Sequence, residues 1–79
     1  MNYYEHIEDH MEISRIIRDL SIEKAHFMYE WAEFQDKMNN KDPNHLLKNN
    51  EYIKRLYEFN RNIDDASEIL SRILTRKSF

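Results

Sequence analysis

The residue types best suited to chemistry stand at the start of the chain. His6 and His10 are four apart, flanked by Glu5 and Asp9. On a helix, two imidazoles one turn apart can chelate a divalent metal. The run His-Ile-Glu-Asp-His lacks the glutamate directly after the first histidine that a zincin requires. A helical frame also places both histidines on a packing seam, where they cap the end of a helical pair. The expectation is therefore no metal site and no cofactor. His26 and His45 lie too far along the chain to complete such a site within one molecule.

Other reactive side chains are no better placed. Glu8-Asp9 and Asp64-Asp65 are adjacent in sequence and diverge on a helix, so they make poor acid–base pairs. Ser14, Ser21, Ser67 and Ser71 lack a nucleophile-elbow context. There is no Gly, which removes phosphate-cradling loops, and no Cys, which removes disulfides and thiolate metal sites. The sequence predicts a protein that is not an enzyme.

The elements that position these residues follow from apolar spacing. A heptad frame fits the first segment with Tyr3, His10, Ile17, Lys24, Trp31 and Met38 at a, and His6, Ile13, Leu20, Phe27 and Phe34 at d. It predicts one helix over about 2–38, roughly 55 Å long at 1.5 Å per residue. A break near Ser21, giving three helices, is the alternative. Lys24 falls within the apolar seam, and its stem is expected to snorkel until the ammonium meets an acid; the alternative is that it fixes register or oligomer state, a role Asn60 beside the seam of the second helix could share.

Asn39-Asn40-Lys41-Asp42-Pro43 is the strong break, with Asp42 as N-cap and Pro43 at N1. Beyond it Tyr52, Leu56, Phe59, Ile63, Ala66, Leu70 and Ile73 follow 4-3-4-3 spacing. They predict a second helix over about 43–77, with a loose first turn. A short connection makes the helices antiparallel. The fold class expected is all-α, one domain over 1–79, a hairpin of two long helices.

Charge supports that pairing. Among 79 residues there are 12 basic and 15 acidic side chains, a net charge of −3. Residues 1–40 carry a balance of −5 and residues 41–79 one of +2, so the acidic start of the chain is expected against the basic end. An acidic pI of ≈ 5.8 does not suggest a polyanion binder. The longest apolar run is Phe27-Met28-Tyr29, which excludes a membrane span, and no signal peptide is evident. A cytoplasmic setting is expected.

One narrow seam rarely stabilises fewer than ~80 residues. A second apolar line, Ile22, Ala25, Tyr29 and Ala32, recurs with 3-4-3 spacing on the face away from the seam. It predicts a contact surface for a protein partner or for a second copy, with a homodimeric four-helix bundle as the favoured assembly. The function expected is that of a small interaction protein that binds and modulates a larger one. The wealth of Ile, Asn, Lys, Tyr and Phe matches AT-rich coding. With the small size, it suits a phage or mobile-element accessory factor acting on replication, recombination or transcription machinery. One alternative is single-stranded DNA or RNA binding through Lys54, Tyr57, Arg61, Arg72, Arg76 and Lys77, where cations alternate with an aromatic ring. Another is a small cytoplasmic immunity or inhibitor protein.

Overall fold

The computed structural model describes residues 1–37 and 43–77. It contains two α-helices, α1 over His10–Lys37 and α2 over Pro43–Lys77. They pack against each other as a hairpin of 58 × 22 × 15 Å. The bounds of α2 are those the sequence predicts, and the stretch 44–50 is helical rather than loose. The expected N-cap Asp42, and Met38, lie outside the described residues.

The first helix starts later than the heptad frame predicts. Residues 3–6 form a turn, and α1 begins at His10 rather than near residue 2. Two short polar side chains explain the difference. Asn2 Oδ1 accepts from Tyr4 N at 2.9 Å and closes the first turn, and Asn2 Nδ2 donates to Asp65 O of α2 at 2.8 Å. Asp9 Oδ1 accepts from Met11 N at 2.9 Å, and Ile13 N donates to Asp9 O at 3.1 Å. That is an N-cap, and Glu12 three residues on completes the sequence pattern of a capping box. The pattern Asp-x-x-Glu before Ile13 was therefore the signal for the true start.

The segment before the cap does more than lead in. It folds over the open end of the hairpin and buries Tyr4 and Ile7 with Ile13, Ala66, Ile69 and Ile73. Ile16, Ile17, Leu20 and Leu70 pack around this aliphatic core, in which Ile13 and Ala66 are wholly buried. Burial pushes the Tyr4 phenol above its ordinary value of 10.0, with Tyr3 and Asp65 adding to the shift. Arg72 pairs with Glu68 at 2.6 Å and lies 3.9 Å from Glu5. The acidic start thus meets the basic end, though Glu5 does so from the turn and not from a helix.

The other end of the hairpin is aromatic. Phe27 stands 5.5 Å from both Tyr52 and Phe59, and Trp31 stacks on Tyr52 at 6.1 Å and 1°. Trp31 Nε1 donates to Asn49 Oδ1 at 2.8 Å, which satisfies the indole in a half-buried site. The Arg55 guanidinium lies over the Phe27 and Phe59 rings at 5.9 and 5.8 Å.

Between the aliphatic and aromatic ends, Lys24 Nζ donates to Asn60 Oδ1 at 2.6 Å. The ammonium meets a side-chain amide here, not the acid expected. Asn60→Ala removes the acceptor of a half-buried cation, and a loss of about 1.5–3 kcal/mol is expected in urea unfolding. Lys24→Met in the same background should recover most of that loss, because no charge is then left without an acceptor.

Candidate interaction face

The site begins with the continuity of α1. The helix runs unbroken through Ser21, whose Oγ donates to Ile17 O at 2.8 Å inside the helix. Among the described residues no third helix folds back, and none of them covers the second apolar line on α1. Ile22, Ala25, Tyr29 and Ala32 are all exposed, Tyr29 to 68% and Ile22 to 49%. At about 100° per residue they project from the side of α1 opposite Ile13, Leu20, Phe27 and Trp31. Met11 and Met28 extend the apolar surface and are exposed as well.

Charges bracket this line in an ordered way. Arg15 and Arg18 lie on its N-terminal side, and Glu33 and Asp36 on its C-terminal side, all exposed. Among the described residues Arg18 pairs with Asp19 alone, at 3.6 Å and with both side chains largely in water. Such a pair contributes little. Arg15, Glu33 and Asp36 make no ion pair among the described residues. The face is an apolar centre between a basic end and an acidic end.

The six residues considered for nucleic-acid contact divide. Lys54, Tyr57 and Arg61 share one exposed line on α2, with Tyr57 72% exposed. Asp65 and Glu68 follow them along the helix, and Arg72 is taken up by Glu68 and Glu5. Arg76 is exposed. Lys77 closes α2, and its side chain lies outside the described residues.

The histidines do not form the chelate that helical spacing would allow. His6 lies in the turn before α1, is exposed, and sits edge-on to Tyr3 at 6.4 Å, while His10 opens the helix. The one-turn helical relationship between them is lost. Among the described residues no group of three or more His, Cys, Asp or Glu is arranged to hold a metal ion. His45 is the histidine that sequence reasoning missed. It is buried, stacked on Phe34 at 5.1 Å and 13°, with neither ring nitrogen hydrogen-bonded among the described residues.

An open groove of about 400 Å³ runs beside the aromatic end, floored by Phe27, Tyr52 and Phe59. The chain's own Arg55 covers that floor, and Glu23, Glu30, Glu51 and Lys48 form a rim of mixed charge. No helix among the described residues is long and apolar enough to cross a membrane. No protein-family model matches the chain, and no match was found among curated proteins or solved structures.

Proposed function

We propose that this protein is a non-enzymatic helical interaction module that docks through the outer face of α1 and modulates a larger protein by binding. The observation that carries this reading is the line Ile22, Ala25, Tyr29, Ala32, exposed on a continuous helix and opposite the core. A helix whose second apolar stripe has no cover gains from a partner that removes it from water. Ala25 and Ala32 keep parts of the face low, so another helix can approach closely, and Tyr29 supplies the large anchor that contact surfaces favour. A role as accessory factor to replication, recombination or transcription machinery and one as cytoplasmic inhibitor or immunity protein use the same face. They differ only in the partner.

Tyr29→Glu tests the assignment. The side chain is exposed, so far-ultraviolet circular dichroism should stay within about a tenth of wild type. Binding should fall at least tenfold, because a carboxylate would be desolvated at the contact. A pull-down comparing wild type with the variant checks it: a protein retained equally by both would rule out this face.

A second reading has one observation in its favour, the exposed line Lys54, Tyr57, Arg61 on α2. Phosphate contacts beside a stacking ring are how single strands are held. Binding of a labelled oligonucleotide at low salt, lost in Lys54→Ala/Arg61→Ala, is the result that would favour it. Arg72, engaged within the chain, should make no difference.

A further inference from the structure

We infer that the occupant of the outer face of α1 is a second copy of this chain, with the two α1 helices antiparallel about a two-fold axis. This rests on the reading of that face as a docking surface and names its partner. The order of charges along the line identifies the second copy. From the N-terminal side the face reads basic at Arg15 and Arg18, apolar at Ile22, Ala25, Tyr29 and Ala32 with His26 at its edge, and acidic at Glu33 and Asp36. Turned end for end, the same sequence is its own complement. Centring the axis beside position 27 sets Ile22 opposite Ala32 and Ala25 opposite Tyr29, so each large side chain meets a small one. The same register sets Arg18 of one copy opposite Asp36 of the other, twice by symmetry, with Glu33 one turn away. A two-fold interface requires self-complementarity of this kind.

The parallel arrangement fails on the same residues. It would set Arg18 against Arg18 and Asp36 against Asp36, and like charges facing each other select against a register. The helix dipole points the same way. Asp36 lies in the last turn of α1, where a negative charge is unfavourable for the isolated helix. A guanidinium arriving from a second copy offsets that.

Because the face lies opposite the core, the assembly is not a bundle around one shared interior. The helices stack in the order α2, α1, α1, α2, each α2 keeps its outer line of Lys54, Tyr57 and Arg61 in water, and a larger partner that docks on the outer face of α1 displaces the second copy. From Arg18 to Asp36 the contact runs about 27 Å along the helix. That length places the interface near the lower limit for stable pairs, and micromolar association is expected.

Sedimentation equilibrium on the full chain tests this. Wild type should approach twice 9.8 kDa at concentrations on the order of 100 μM. Arg18→Glu alone and Asp36→Arg alone should each dissociate at least tenfold more readily, since each creates two like-charge contacts. Mixing the two variants should restore the dimer, because both contacts then become attractive. A wild type that stays monomeric overturns the second copy as occupant and leaves the face to another partner. A dimer indifferent to Tyr29→Glu and to both charge reversals overturns the docking face together with this inference. All three positions are exposed, so unchanged circular dichroism separates these outcomes from unfolding.

Discussion

Phe27→Ala is expected to destabilise the hairpin by about 3–5 kcal/mol, enough to unfold much of a domain this size at room temperature. Phe27 is buried where the two helices meet, with its ring against Trp31, Tyr52 and Phe59 and under the Arg55 guanidinium. Truncation removes the common neighbour of those rings and leaves a cavity that two rigid helices cannot close. The Trp31–Asn49 hydrogen bond should loosen with it, so tryptophan emission should shift red before the helices are lost. Thermal unfolding followed by circular dichroism and by fluorescence checks both points. Phe27→Leu, which keeps most of the volume, should recover more than half of the loss.

The second large effect is at the opposite end. Tyr4→Ala/Ile7→Ala should lower stability by about 4 kcal/mol or more, each truncation contributing about 2–4. The heptad frame would have put Tyr3 on the seam, and truncating it would then matter most. In the structure Tyr3 is exposed to 78%, whereas Tyr4 and Ile7 are buried in the aliphatic core. Tyr3→Ala should therefore cost less than about 0.5 kcal/mol. Urea unfolding of the two variants compares the alternatives directly. A Tyr3 effect equal to that of the double variant would mean that the segment before Asp9 is helical.

These two sites show what spacing alone reveals. The α2 seam was legible because seven apolar positions recur without interruption after Pro43, and proline fixes where a helix can begin. The antiparallel pairing followed from one short connection. The start of α1 was misread because a heptad frame accepts Tyr3 and His6 wherever they fall at the right interval. It takes no account of Asn2 and Asp9, whose side chains hydrogen-bond the backbone, the first closing a turn and the second setting where the helix begins. Lys24 was correctly placed at the seam, yet its partner is Asn60. Spacing reports the facing turn and not which polar group on it comes within reach. His45 gave no sequence signal, because its burial depends on stacking with Phe34.

The outer line of α1 was legible as a pattern. That it is uncovered depended on the structure, which carries α1 through Ser21 without a break and leaves all four residues exposed. Had the chain broken there, the same residues would have been ordinary core. The ordered charges at the ends of that line gain meaning only once the line is known to face outward.

The most direct test of the account is a dilution series of the isotope-labelled full chain followed by amide chemical shifts. Concentration-dependent shifts should be confined to α1 around Ile22, Ala25, Tyr29 and Ala32, with Arg18 and Asp36 at their margins. The amides of Lys54, Tyr57 and Arg61 on α2 should hold still. Shifts that move on α2 while the outer face of α1 stays fixed would contradict the account.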